Sequence, residues 1–226
     1  ASKPDAMSAG TPLAVNSSGD FEQLYRVYWQ DLCGHLRRMF GAGPPEPEDA
    51  VQAALSDYEV RFNAAVVQAA RVLDAARSAG IPPIHVKIQA LSCQGRDTSQ
   101  LHSRLGWNFP PGSPATEFLE PTRPKADEIV ITKTASGAFT GTSLDTTLRN
   151  MGIEHLIVVG FMTDECVETT TRVALDYGYI SRVVSDATTT YHLESYQSTI
   201  GKLASYGFTL TADEAIAEMK AMAEQA

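Results

Sequence analysis

A repeating rhythm constrains this chain more than any other feature. An apolar strand-like run, a helical stretch, a glycine and a further strand recur about five times. The clearest strand is His155-Leu-Ile-Val-Val-Gly160, which is nearly all apolar. That composition suits a strand covered on both faces, at the buried centre of a parallel sheet. Pro12–Ser17, Ile84–Ile88, Glu128–Thr132, Ile180–Ser185 and Phe208–Leu210 read as the other strands. Apolar residues at helical spacing predict helices over 21–39, 63–79, 143–150, 163–177 and 193–204, and a last one from Ala212. Gly80 is placed to cap the second of these, and Gly152 and Gly178 follow two more. Alternation of this kind builds right-handed crossovers and an open parallel sheet with helices on both faces.

The 226 residues suit a single domain with a sizeable core. Residues 1–11 read as a disordered or extraneous polar tail, and residues 12–226 as one domain. Glu48–Val60 reads as a short helix and a connection. Leu91–Lys125 is the least regular stretch, with two exposed-looking aromatics, Trp107 and Phe109. A connection of that length is functional or carries short elements of its own. The net charge of −9 argues against a general nucleic-acid binder and against docking on an anionic membrane. No apolar run approaches the roughly 20 residues of a membrane helix. Cys33, Cys93 and Cys166 are too few and scattered for a disulfide framework, so a reduced, cytoplasmic protein is expected. The turn after the first strand, Asn16-Ser-Ser-Gly19, lacks the glycine pattern of a dinucleotide site, and no cofactor is expected.

In open α/β sheets, ligands sit at the carboxyl ends of the strands. Three such ends stand out: Asn16, Lys133, and Gly160-Phe-Met-Thr-Asp-Glu-Cys166. In the last, a buried strand passes by a tight turn into a helix, and Cys166 falls in that helix's first turn. Helix-end N–H groups there stabilise a thiolate, and can also hold an oxyanion formed when the thiolate attacks a carbonyl. The competing reading is a buried cysteine serving as a small hydrophobe.

Leu156-Ile-Val-Val-Gly-Phe-Met-Thr-Asp-Glu-Cys-Val-Glu-Thr-Thr-Thr-Arg-Val-Ala-Leu-Asp-Tyr-Gly-Tyr179, followed by Val183–Ala187, closely resembles the isochorismatase-like cysteine hydrolases. Lys133-Thr-Ala-Ser-Gly-Ala-Phe-Thr-Gly-Thr-Ser-Leu144 looks like that family's lysine segment, and Ala76–Val86 like its second helix and strand. The likeness covers roughly Asn63–Phe208. It implies an α/β, Rossmann-like three-layer α/β/α sandwich with a mostly parallel sheet of about six strands. It also implies an Asp–Lys–Cys triad. Carried over by motif, Cys166 is the nucleophile and Lys133 the cation beside it. The resemblance further implies a cis peptide at Phe161–Met162, aiming the Met162 and Cys166 N–H groups at the oxyanion. The first strand departs from the pattern. Aligning Asp20-Phe21 with the family's later acid–Phe pair puts Asn16 where the catalytic aspartate belongs. Asparagine can orient groups but cannot accept and return a proton.

Phe21, Trp107 and Phe139 sit where family members line the substrate pocket, and each also has an ordinary core reading. Cys33 reads as core, Cys93 as an exposed thiol, and His85 as structural and outward-facing. His102 and His192 lie in loops from which either could reach a pocket. The zinc-dependent nicotinamidase branch places an Asp and two His after the second strand. Gln89–His102 holds one Asp and one His at no matching spacing, so no metal is expected. The expected function is cysteine-dependent hydrolysis of a C–N bond, amide or ureide, in a small-molecule substrate through a thioester. Alternatives are an inactive small-molecule-binding protein on the same scaffold, or vinyl-ether hydrolysis, which needs a carboxylic acid and no thiol. The resemblance also implies a homo-oligomer.

Overall fold

The computed structural model describes residues 48–225. Its first element is α1, Glu48–Ser78, a helix of 31 residues and about 46 Å. The short helix and connection expected over Glu48–Val60 are therefore the front half of one continuous helix. Ala65, Ala69, Val72 and Ala76 recur at spacings of four and three along it, and all are buried. Gly80, at φ +68°, ends it: the Ile81 N–H bonds the Ala76 carbonyl and the Gly80 N–H that of Arg77.

The remaining order is β1 (Ile84–Ile88), α2 (Gln100–Leu105), β2 (Ile129–Lys133), α3 (Leu144–Asn150), β3 (His155–Phe161), α4 (Glu168–Asp176), β4 (Ile180–Thr189), α5 (Leu193–Ser205), β5 (Thr209–Leu210) and α6 (Ala212–Ala223). Every described strand pair is parallel: β1 with β2, β3 with β4, and β4 with β5. The expected first strand, Pro12–Ser17, the helix over 21–39 and the tail over 1–11 fall outside the described residues. So do Asn16, Phe21 and Cys33.

The two faces of β3 and β4 show why such strands are apolar throughout. Ile157 and Val159 of β3 and Val184 of β4 pack with α1 and α6, against Ala69, Val72, Ala215 and Met219. Their neighbours point the other way: Leu156 joins α3 and α4 around Leu148 and Ala174, while Val158 and Val183 meet Leu203 of α5. Side chains alternate across a strand, so this division places helices on both sides of a parallel sheet.

Three boundaries differ from expectation in ways that matter for the site. β4 runs on to Thr189 rather than ending at Ser185, because the polar run Thr188-Thr189 is buried rather than solvated. The helix expected from Thr163 opens instead with a π-helical turn over Thr163–Val167, in which the Val167 N–H reaches back to the Met162 carbonyl. Leu91–Lys125 carries α2 and two 3₁₀ turns, Pro114–Thr116 and Glu120–Thr122.

Glu128, just before β2, ties three segments together. Its carboxylate accepts two bonds from Arg77 of α1 (2.8 and 2.9 Å), one from the Lys125 N–H and one from His85 of β1 (each 2.8 Å). His85 is thus structural, as expected, but buried rather than outward-facing. The Arg77 guanidinium foremost holds the Glu128 carboxyl well below the usual carboxylate range, helped by Lys125 and His85. A depressed folded-state pKa gives stability that is present above the unfolded glutamate value of about 4.3 and lost as pH falls below it. Glu128→Ala should cost about 3 kcal/mol, because Arg77 and His85 lose a partner that is only 9% exposed. Glu128→Gln should flatten the acid limb of stability. Urea midpoints measured against pH check both; an unchanged acid limb in Glu128→Gln would remove Glu128 from this role.

Candidate active site

β2 ends at Lys133, and β3 ends just before the π-helical turn that carries Cys166. Among the described residues β2 and β3 belong to separate sheets, and the fold nevertheless brings these two ends into contact. The Lys133 Nζ donates to Cys166 Sγ at 3.0 Å, to the Ala135 carbonyl at 2.9 Å and to the Ser136 carbonyl at 2.6 Å. The lysine is 5% exposed, so its three ammonium protons are spent on two backbone oxygens and one sulfur. A cation buried this way is stable only with such partners, and its remaining field falls on the sulfur. Cys166 is partly exposed, and Cys93 is exposed.

The loop after β2 is pressed onto the start of α4. The Ala138 N–H donates to Thr170 Oγ1 at 3.0 Å. A Cβ at Gly137 would stand 3.0 Å from Thr169 Cγ2 and from Thr140 Oγ1. Glycine is what lets the two carbonyls that hold Lys133 come so near the cysteine's helix.

The turn itself is anchored from below. The Phe161–Met162 peptide is cis, as the resemblance implied. Thr163 is fully buried, and its hydroxyl pairs with that of Thr188 on the extended end of β4 at 2.8 Å. Beside it, α1 supplies a set of groups that periodicity alone did not single out. Tyr58 stacks near Tyr191 (4.8 Å between centroids), Phe62 near Phe161 (4.6 Å), and the Tyr58 hydroxyl approaches the Met162 sulfur at 3.8 Å. Arg61 donates to Thr189 Oγ1, the Thr190 carbonyl and the Tyr191 carbonyl at 2.7–3.0 Å. Burial pushes the Tyr191 phenol up. The available signal was the spacing of Tyr58 and Phe62, four apart on what proves to be a continuous helix.

The other sequence candidates separate. Trp107 and Phe109 are partly buried rather than exposed, with their rings 5.4 and 6.1 Å from that of His102. His102 is 1% exposed, and its Nε2 lies 3.2 Å from Ser136 Oγ, next to the lysine's anchor. Phe139 lies in the core, 6% exposed, against Tyr177 and Tyr179, which is the packing of its core reading. His192 is the exposed residue preceding α5. Sequence reading also passed over Ser136 and Glu165, whose side chains meet at 3.3 Å between β2's loop and the cysteine turn. Burial pushes the Glu165 carboxyl up, against the Ser136 hydroxyl, which favours its ionised form. Among the described residues no three His, Cys, Asp or Glu side chains converge to hold a metal, and no helix is long and apolar enough to cross a membrane.

Residues 49–215 match the isochorismatase domain model. An uncharacterised isochorismatase family protein of Bacillus subtilis, YddQ, is 32% identical over 132 residues, 58% of this chain and 67% of the relative. A maleamate amidohydrolase of Pseudomonas putida is 26% identical over 163 residues, 71% of this chain and 76% of that protein. Among solved structures, N-carbamoylsarcosine amidase of Thermoplasma acidophilum superposes with a TM-score of 0.57 at 25% identity, over 68% of this chain and 85% of the other. Parallel strands flanked by helices, a lysine at the end of β2 in contact with a cysteine just after β3, and the domain-model match over residues 49–215 make this chain a member of the isochorismatase family of hydrolases.

Proposed function

We propose that the protein hydrolyses a C–N bond in a small amide or ureide, with Cys166 as nucleophile and a thioester as intermediate. The observation that carries this reading is the 3.0 Å contact between the buried Lys133 ammonium and the Cys166 sulfur. It sets a buried cation directly beside the sulfur that would attack. The thiolate attacks the substrate carbonyl carbon. The Met162 and Cys166 N–H groups receive the oxygen that becomes negative. The C–N bond breaks, ammonia or an amine leaves with a proton, and water cleaves the thioester. Two of the similar proteins, a maleamate amidohydrolase and an N-carbamoylsarcosine amidase, are named for hydrolysis of this kind. Trp107, beside His102, and Phe21 belong to the proposed pocket. Asn16 holds the triad's third position and orients neighbours there without exchanging a proton.

Limited iodoacetamide labelling, mapped by mass spectrometry, should modify Cys166 ahead of Cys33 and Cys93. Ammonia release from maleamate and N-carbamoylsarcosine should vanish in Cys166→Ala; hydrolysis that survives this change, or labelling that favours Cys33, overturns the reading. Asn16→Asp should raise the hydrolysis rate and add an acidic limb to its pH profile. A fall in activity on this change would mean that Asn16 serves other chemistry. The family resemblance also supports a homo-oligomer. Light scattering should return a multiple of the 24.4 kDa chain mass, and a monomeric mass at micromolar concentration would exclude it.

A further inference from the structure

Ser136 makes contacts that the reading above does not use. Its carbonyl accepts from the Lys133 ammonium at 2.6 Å, and its hydroxyl donates to Glu165 Oε2 at 3.3 Å. Glu165 directly precedes Cys166 in the turn. One residue thus holds the lysine with its main chain and the cysteine's neighbour with its side chain. We propose that Ser136 is a positioning residue for the Lys133–Cys166 pair: its hydroxyl braces the lysine's loop against the cysteine turn through Glu165 and against α2 through His102. This deepens the reading above and rests on Lys133 and Cys166 being its reacting pair.

The contacts close a ring. Lys133 Nζ touches Cys166 Sγ at 3.0 Å, Cys166 follows Glu165 in the chain, Glu165 accepts from the Ser136 hydroxyl, and the Ser136 carbonyl returns to Lys133 Nζ. A lysine ammonium rides on a flexible four-carbon stem, so its partners place it more firmly than its stem does. Moving a partner carbonyl therefore moves the cation. The hydroxyl bond is what ties that carbonyl to the turn that carries the sulfur.

α2 backs the ring from the other side. His102 Nε2 lies 3.2 Å from Ser136 Oγ, and the histidine is 1% exposed. Burial first, and the Lys133 charge second, push its pKa down, so a neutral ring stands near the cation. The Ser99 N–H, just ahead of α2, donates to the Thr134 carbonyl at 3.0 Å, so this segment meets the lysine's loop twice. The rings of Trp107 and Phe109 pack on His102 and restrict its turning. Its Nδ1 has no partner. A buried nitrogen left in that state costs stability, and here the cost accompanies a ring held against the serine. Beyond Ser136, the Ala138 N–H is fixed to Thr170 Oγ1 at 3.0 Å. The hydroxyl thus lies between two ties on the same loop and reaches the residue beside Cys166.

Nuclear magnetic resonance of the lysine ammonium groups, in the isotope-labelled full-length protein, tests this without a substrate. The Lys133 signal is identified by its loss in Lys133→Met. With three partners and 5% exposure, its protons should exchange with water far more slowly than those of surface lysines. Ser136→Ala keeps both carbonyls but removes the brace, and should speed that exchange about tenfold. Ser136→Thr restores a hydroxyl and should return it to within about twofold of the wild type. Glu165→Ala should also speed exchange, and the double variant should be no faster than the faster single one, because both changes break one link. Ammonia release from maleamate or N-carbamoylsarcosine should lose about tenfold in kcat in Ser136→Ala, with KM held within about twofold. Wild-type exchange in Ser136→Ala, effects of Ser136→Ala and Glu165→Ala that multiply, or a raised KM with kcat kept overturns the proposal and leaves Cys166 as nucleophile. Fast exchange of Lys133 in the wild type would overturn the contact on which both readings stand.

Discussion

An ammonium group that is almost wholly buried has to find partners for three protons, and Lys133 finds two of them in its own loop. The carbonyls of Ala135 and Ser136 curl back over Nζ, and the third proton meets Cys166 Sγ. Removing a charge from water costs several kcal/mol unless such bonds replace the lost hydration. The loop cannot relax without exposing that cost, and the sulfur cannot move without stranding a proton. The close approach of the loop to α4 at Gly137, the buried Thr163–Thr188 pair and the extension of β4 all serve to keep the two strand ends at this separation.

The long first helix does more than cover the sheet. Its middle buries small residues against β3 and β4, which lets it lie close. Its earlier turns carry Tyr58, Arg61 and Phe62 to the carboxyl ends of the same strands. Arg61 satisfies the carbonyls of Thr190 and Tyr191 where β4 leaves the sheet, groups that would otherwise be costly to bury. At its far end, Arg77 meets Glu128 and fixes where β2 begins. One helix thus sets both the start of the strand that bears the lysine and the surroundings of the turn that bears the cysteine.

The environment around the Lys133–Cys166 pair is polar in a directed way. A neutral histidine, a hydroxyl and a carboxyl are strung beside the cation, and the aromatic rings of Trp107 and Phe109 close over the histidine. Bonds of this kind strengthen in a buried setting, and an unsatisfied member costs correspondingly more. The Nδ1 of His102, which has no partner, is one such cost.

Much of this was legible in the residues. The apolar run of β3 marked a strand covered on both sides, Gly80 marked the end of α1, and the segment from Gly160 to Cys166 marked a strand-to-helix turn with a thiol in it. These are local signals, written in composition and period, and the family resemblance paired Cys166 with Lys133 from motif alone. What periodicity could not carry was contact between distant segments. Ser136 and Glu165 are 29 residues apart, and Arg61 and Thr189 are 128 apart. Thr188-Thr189 lies beyond the strand expected over Ile180–Ser185 because burial, not composition, makes it strand, and Phe139 kept both a pocket and a core reading because an aromatic near a lysine motif does not reveal which way it faces. Sequence alone marked strands β1 to β5 and set Lys133 and Cys166 at or just after strand ends, since propensity and patterning act over a few residues. Only the tertiary structure decided which polar groups share a buried space, because the cost of leaving a hydrogen bond unmade is settled by whatever the fold brings beside it.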